Sequence, residues 1–304
     1  QLKIALMKLT KRQIQHLYWR AGFGPDPCNL NNAIGKTAND LVDHLFTSSE
    51  KAEYLKMDFS KLAVDRKSLS REEKKELRKL ATKMVYELDV MWLEQMVETK
   101  AVLREKMTFF FHDHFAVRIK NPKENLDLNN ILRKHALGNF GDLLMEVSKS
   151  PAMIGFLNNK QNKKDSPNEN FAREVMELFT LGRDNVYTET DIKEAARAFT
   201  GWSVANGEFI FRQRQHDTGS KTILGETGNF DGEDVIRILL KQKQTARYLA
   251  TKILDFLVGR PIPDAHLDVF TDIFYDSNYD LEVFIRAILT SEIFYQEETI
   301  ACKI

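Results

Sequence analysis

One cluster of polar and ionisable side chains that could do chemistry lies between residues 168 and 177. It contains Arg173, Glu174 and Glu177, preceded by Asn168 and Asn170. On a helix, positions 170, 174 and 177 form one polar stripe, and Arg173 lies one turn before Glu177. Buried carboxylates must be paired, protonated or metal-bound, because an isolated buried charge is unfavourable. The pattern therefore predicts either a catalytic acid/base site or a structural Arg–Glu network.

In the catalytic interpretation, each group of this stripe has a role. Glu174 or Glu177 is the general acid/base, and Arg173 orients one of them or binds an anionic group. Asn168 and Asn170 are expected to bind substrate. In the structural interpretation, the same charges pair with one another and extend to the next helix.

Two histidines lie in the aromatic run Phe-Phe-Phe-His-Asp-His-Phe at 109–115. His112 and His114 diverge by about 200° on a helix and share a face on extended backbone. Extended or end-of-helix backbone would let both bind one divalent metal together with Glu174, and such a ligand mixture suits zinc or manganese. The alternative is an aromatic core helix whose histidines form local hydrogen bonds.

A third polar group lies in a glycine-containing stretch that begins after Trp202. His216 and Asp217 are adjacent, which suits a catalytic acid/base pair or a pair of metal ligands. Lys221 follows and, like Trp202, is expected to bind substrate. Trp202 is either a core residue or a flat stacking surface for a sugar, and the polar residues are equally consistent with an ordinary surface loop.

Apolar residues spaced by three and four dominate the chain and predict an all-α fold, a multi-helix bundle in one domain spanning 1–304. Ser70 and Glu73 form a capping box that predicts a helix of about 28 residues. Ser166, with Pro167 and Glu169, predicts the start of the helix that carries the polar stripe, and Gly182 its end. Residues 203–230 predict one long loop or a small hairpin. Other helices are predicted at 10–20, 38–46, 141–149, 188–200, 233–241, 245–258, 265–275 and 281–294.

The bulk composition excludes several classes of protein. Hydrophobic residues make up 43% and charged residues 29%, and 44 basic residues balance 44 acidic ones. This balance argues against nucleic acid as a partner. No apolar run approaches the ~20 residues of a membrane-spanning helix, and no signal peptide is visible. Cys28 and Cys302 are too few for a disulfide framework and are expected to be free thiols.

Several segments resemble a bacterial family known as domain of unknown function 1800. They are HLYWRAGFG at 16–24, 107–115, PNENFAREVMELFTLG at 167–182, DIKEAARAFTGW at 191–202, and 216–232 with its KTILG and GNFDG strings. The resemblance implies a protein that is exported or associated with the cell envelope. It also implies a neighbouring partner that resembles sulfatases and alkaline phosphatases, and a C-terminal portion in relatives that is expected to be missing after Ile304.

Two functional hypotheses follow. The first is a hydrolase-like enzyme that acts on envelope or extracellular polymers, such as polysaccharides, through the His/Glu groups, with the loop around His216 as a lid. The second is a non-catalytic helical protein that holds a polymer or docks the phosphatase-like partner. An open cleft with convergent His and Glu groups favours the enzyme, whereas internally paired polar clusters beside an apolar patch favour the binding protein.

Overall fold

The computed structural model describes residues 6–25, 27–65 and 67–300, with residues 27–29 described by their backbone alone. Helices make up most of the described residues, as the apolar spacing predicts. The α-helices are α1 (Lys11–Arg20), α2 (Pro27–Ala33), α3 (Ala38–Ser48), α4 (Arg71–Glu98), α5 (Val102–His114), α6 (Pro122–His135), α7 (Phe140–Lys149), α8 (Pro151–Phe156), α9 (Asn170–Met176), α10 (Glu189–Ala198), α11 (Gly232–Lys241), α12 (Lys243–Val258), α13 (Asp264–Asp276), α14 (Leu281–Leu289) and α15 (Glu297–Ile300).

Short turns of other helical types connect these elements. A π-helical turn, Glu177–Leu181, continues α9 directly. Turns of 3₁₀ type lie at Ser60–Leu62, Asn159–Gln161, Gln213–Gln215 and Ile293–Tyr295.

Local side chains fix many of the helix starts. Capping boxes open α1, α3, α4, α10 and α11, each with a side-chain oxygen that accepts the N–H three residues later and a reciprocal bond from the third helical residue. The predicted helix after Ser70 is confirmed with its box, and the box at Thr188 opens α10.

The predicted start at Ser166 is wrong. The helix begins at Asn170, and Ser166 instead forms an isolated bridge with Lys163. Asn168 takes over the local role, because its Oδ1 accepts the N–H of Asn170 and its own N–H donates to Asn162 Oδ1, both at 3.0 Å. The contact with Asn162, which lies outside residues 166–169, thus holds Asn168 in place, and Ser166 does not cap the helix.

Residues 203–230 form two small hairpins where one loop or hairpin was predicted. Strands β1 (Trp202–Ala205) and β2 (Glu208–Phe211) are antiparallel, with Trp202 opposite Phe211. Strands β3 (Lys221–Ile223) and β4 (Glu226–Gly228) are antiparallel, with Lys221 opposite Gly228.

One continuous cluster of buried apolar side chains runs from Leu9 to Tyr295. Within it, the C-terminal half of α5 packs its phenylalanines against α7, α12 and the π turn. A buried ion pair, Arg133 Nη2 to Glu105 Oε1 at 2.7 Å, ties α5 to α6, and the Trp92 indole also donates to Glu105. Helix α5, which carries part of the site described below, is therefore held by contacts with several other elements.

No helix in the described part of the chain is both long and apolar enough to cross a membrane. Cys302 lies outside the described residues, and the Cys28 side chain is likewise not among them.

Candidate functional site

His112 and His114 point to different surroundings because their segment is helical. His112 is exposed and meets the Trp92 ring edge-on, with 4.8 Å between ring centroids. His114 is buried among the rings of Phe110, Phe115 and other aromatic residues. The backbone divergence that the sequence predicts for a helix therefore separates the two imidazoles.

The His114 imidazole is held as a neutral hydrogen-bond donor. Its Nε2 lies 3.2 Å from the carbonyl oxygen of Phe179, so Nε2 carries the proton. Its Nδ1 is buried without a hydrogen-bond partner among the described residues. Burial, with a smaller contribution from Lys252, lowers the pKa of His114 to about 3.

His112, His114 and Glu174, which were predicted to bind one metal ion together, do not form such a group among the described residues. His112 faces Trp92 while His114 is enclosed and donates to the backbone. Across residues 6–25, 27–65 and 67–300, no three His, Cys, Asp or Glu side chains form a group that could hold a metal ion. His114 thus lies in an aromatic core, as in the alternative interpretation, but its hydrogen bond reaches the distant Phe179 and is not local.

Arg173 joins three glutamates around α9. Its guanidinium donates to both Glu189 oxygens at 2.7 and 2.8 Å, to Glu169 at 3.1 Å and to Glu177 at 3.2 Å. Arg183 Nε also lies 3.4 Å from Glu177. Glu177 is therefore a buried carboxylate between two cations, which is the structural Arg–Glu network that the sequence offers as one alternative.

Glu174 differs from its neighbour Glu177. The side chain is half-buried, and no hydrogen bond or ion pair to it is found in the described part of the chain. Burial, followed by repulsion from Glu177, raises the pKa of the Glu174 carboxyl. The two carboxyl groups of one stripe thus differ in their partners, since Glu177 lies between two cations and Glu174 has no such contact among the described residues.

Asn168 and Asn170, expected to bind substrate, also serve the fold. Asn168 Oδ1 accepts the backbone N–H of Asn170, and Asn170 Nδ2 donates to the carbonyl oxygen of Leu157 at 3.1 Å. These contacts fix the entry of α9 and leave the Asn170 side-chain oxygen without a described partner.

Side chains from α5 and α12 satisfy the carbonyl groups of the π turn. Tyr248 Oη donates to Leu178 at 3.1 Å and Gln244 Nε2 donates to Leu181 at 3.0 Å, alongside the His114 bond to Phe179. Gly182 follows at φ 83°, and a Cβ there would lie 3.0 Å from the Tyr248 ring. The ELFTLG string therefore encodes a capped π turn, a feature that is frequent near functional sites.

Trp202 is a core residue, which is one of the two environments that the sequence allowed for it. Its side chain is 3% exposed and meets Phe171, Phe199 and Phe209 edge-on. Gly232 allows this close packing, because a Cβ there would lie 2.5 Å from the indole. A ring sealed in this way has no face left for a ligand.

His216 and Asp217 are adjacent but have separate partners. His216 Nδ1 donates to the Thr200 carbonyl at 2.9 Å, whereas Asp217 forms a two-bond ion pair with Arg197 at 2.8 and 3.2 Å. The hydrogen bonds from Arg197 lower the pKa of Asp217, and this effect outweighs burial, which raises it. Arg197 also pairs with Glu194 at 2.8 Å.

Lys221, expected to bind substrate, is buried in the hairpin region. Its Nζ donates to the carbonyl oxygens of Asp217 and Gly219 at 2.6 and 3.0 Å, and burial lowers its pKa. Leu224 N–H donates to Asp191 at 2.7 Å, so β3 is fastened to α10. In the described part of the chain, no hydrogen bond or ion pair joins this region to the Arg173 network.

An open cleft lies along α5 beside α12. Its volume is about 440 Å³, and its lining combines aromatic and small apolar side chains with one histidine and one aspartate: Phe109, Phe110, His112, Asp113, Ala116, Val117 and Phe256. The Phe110 and Phe256 rings lie 5.2 Å apart between centroids. The cleft is open to solvent on one side, and its lining is mainly apolar.

Residues 16–304 match the family described as protein of unknown function (DUF1800). The chain belongs to this family. The match confirms the resemblance that the sequence motifs indicate. Comparison with curated proteins finds no match, and comparison with solved structures also finds none.

In this DUF1800 chain, sequence reasoning missed the cleft residues Phe109 and Phe256. A signal for Phe109 was present, because three consecutive phenylalanines on a helix point in different directions and cannot all face one core. Phe256 carried no such signal, since its contact with α5 depends on how α12 packs.

Proposed function

We propose that the protein is a non-catalytic binding protein that holds a polysaccharide in the α5–α12 cleft. The observation that supports this proposal is that the polar side chains predicted to act on a substrate are already bound to other groups of the protein. Arg173 pairs with its glutamates, Arg197 pairs with Asp217, and Lys221 donates to backbone carbonyls. Groups that bind one another in this way are poorly placed to act on a substrate. The open apolar cleft then becomes the main candidate for ligand binding.

The cleft lining suits a sugar ring. Phe109 is 43% exposed and, with Phe256, offers aromatic surface to the apolar face of a pyranose. Asp113 offers carboxylate oxygens to hydroxyl groups. The His112 side chain is exposed, but neighbouring protein atoms desolvate part of its ring and lower its pKa. The neutral imidazole can accept a hydrogen bond from a hydroxyl group.

The test is affinity electrophoresis of the purified chain in gels that contain a soluble polysaccharide, beside an assay for released reducing ends. We expect retarded migration without release of reducing ends. Phe109→Ala should abolish the retardation, whereas Phe156→Ala, at a residue of similar exposure (42%) outside the cleft lining, should keep it. Unretarded migration in every polysaccharide tested would contradict the proposal.

A hydrolase-like enzyme is the second candidate, and the Glu174 carboxyl group favours it. Its raised pKa and its lack of a partner among the described residues suit a general acid. In the same assay, this candidate predicts release of reducing ends that Glu174→Gln abolishes and Glu169→Gln retains. Release that Glu174→Gln leaves unchanged would remove Glu174 from that role.

The cell-envelope location and the sulfatase- or phosphatase-like partner stay predictions from the resemblance. A polysaccharide ligand is compatible with both.

A further inference from the structure

Helix α4 carries a row of apolar side chains on the face opposite to its contacts with the rest of the fold. Among its 28 residues, only Met84 and Leu88 are buried. At about 100° per residue, the opposite face carries Tyr86, Val90, Leu93 and Val97. The first, third and fourth of these are 68%, 60% and 85% exposed. Such an apolar row on the solvent side of a helix indicates a contact with another molecule.

The charges of α4 are divided between its two halves. Residues 71–83 contain six basic and three acidic side chains, whereas residues 84–98 contain no basic side chain and four acidic ones. The acidic residues of the second half are Glu87, Asp89, Glu94 and Glu98. Lys79 pairs with Glu76 at 2.8 Å and Lys83 with Glu87 at 3.3 Å, but all four side chains are exposed, so these pairs add little stability. The helix therefore has a positive half and a negative half that carries the apolar row.

The acidic side chains beside the apolar row limit the kind of partner that fits it. A membrane surface with anionic lipids would repel the carboxylates of the second half. A parallel copy of α4 would place like charges side by side. An antiparallel copy places the positive half of each helix beside the negative half of the other, and it also pairs opposite ends of the two helix dipoles.

We propose that the chain forms a homodimer in which the two α4 helices pack antiparallel about a twofold axis. Both helices then contribute the same surface, as a twofold contact requires. With the axis near residue 88, Tyr86 of one copy lies opposite Val90 of the other. Lys83 then lies opposite Leu93, beside Glu94. The methylene groups of the lysine cover the apolar side chain while its ammonium group reaches the carboxylate.

The size of the contact predicts a weak dimer. A helix of 28 residues is about 42 Å long and about 10 Å wide, which gives a footprint of about 400 Å². A standard protein interface buries about 800 Å² on each partner. We therefore expect a dissociation constant in the micromolar range, about 1–100 μM.

The first test is sedimentation equilibrium of the purified chain from about 1 to 200 μM, which should show a monomer–dimer equilibrium. Leu93→Asp should leave the chain monomeric throughout this range. Val269→Asp is the matched control, because Val269 is similarly exposed (57%) on α13, and this variant should dimerise like the unaltered chain. Thermal unfolding shows that both variants remain folded. A monomer at every concentration, or a dimer that Leu93→Asp leaves intact, overturns the proposal.

Charge reversal tests the antiparallel orientation. Lys79→Glu combined with Lys83→Glu should weaken dimerisation about tenfold or more, because like charges then meet across the contact. Adding Glu94→Lys and Glu98→Lys should restore it. In a parallel dimer, the first two changes would only replace one set of like-charge contacts with another. Unchanged dimerisation in the double variant, or failure of the second pair of changes to restore it, overturns the antiparallel arrangement.

Discussion

His114 Nε2 donates a hydrogen bond to the Phe179 carbonyl across 3.2 Å, from the end of α5 to the π turn that follows α9. This bond joins two of the family-specific segments, 107–115 and 167–182. It also explains why a histidine stands in an aromatic core, because a phenylalanine there would leave the π-turn carbonyl without its donor.

Replacing His114 is expected to affect stability strongly. His114→Ala removes a buried ring and a buried hydrogen bond, and we predict a loss of about 2–4 kcal/mol in the free energy of unfolding. Urea denaturation measures it. His112→Ala, on the exposed side of the same helix, should change the free energy by less than about 1 kcal/mol. Equal losses in the two variants would contradict the assignment of His114 to the core.

Two buried histidines predict a pH dependence of stability. Burial lowers the pKa of His114 to about 3 and that of His16 to about 4, below the ordinary value near 6.5. The unfolded chain therefore binds more protons below pH 6.5, and stability falls as the pH falls. Each histidine contributes up to about 1.4 kcal/mol per pH unit, from about pH 6.5 down to its folded pKa.

Urea denaturation between pH 6.5 and 5 measures this slope. Most carboxylates titrate below this pH interval and therefore contribute little to it. Replacing His114 with a residue that does not titrate, such as glutamine, should make the slope shallower. A slope that the His114→Gln variant leaves unchanged would show that His114 does not resist protonation.

The Arg173 network predicts unequal effects of its members. Arg173→Met leaves the buried Glu177 with Arg183 as its one cationic partner among the described residues, and we expect a loss of about 1–2 kcal/mol in the free energy of unfolding. Glu189→Gln removes the charge of a partner whose side chain is 67% exposed, and it should lower the free energy of unfolding less than Arg173→Met does. Thermal unfolding of both variants checks the order, and a larger effect at Glu189 would refute it.

Gly182 is expected to resist substitution for two reasons. Its φ of 83° disfavours a side chain, and a Cβ would approach the Tyr248 ring to 3.0 Å. We predict that Gly182→Ala lowers the free energy of unfolding by about 1–3 kcal/mol. Gly155→Ala, in α8 with no atom within 4 Å of the new Cβ, should raise it by up to about 1 kcal/mol. Opposite signs in the two variants are the expected result.

Much of the fold is readable from local sequence. The boxes at Ser70 and Thr188 involve residues three positions apart, so the chain itself contains the whole signal. The Ser166 start failed because Asn162, outside the box, holds Asn168 in place. The two hairpins at 202–228 were only partly anticipated, since their strands are too short to give a clear alternating pattern.

The candidate site was less predictable than the fold. The sequence indicated the Arg173–Glu177 contact, because the two residues lie one turn apart on a helix. It did not indicate the cleft, whose walls combine Phe109 of α5 with Phe256 of α12. It also left open the environment of Trp202, since an aromatic residue at the start of a loop is equally compatible with core and surface.

The most direct test of the account is the affinity of one soluble oligosaccharide for cleft variants, measured by calorimetry. A ligand identified by affinity electrophoresis should bind the unaltered chain and Phe156→Ala with equal affinity. The account predicts that Phe109→Ala and Phe256→Ala each weaken binding about tenfold or more, while thermal unfolding shows that both variants remain folded. Unchanged affinity in both cleft variants would contradict the assignment of the α5–α12 cleft as the binding site.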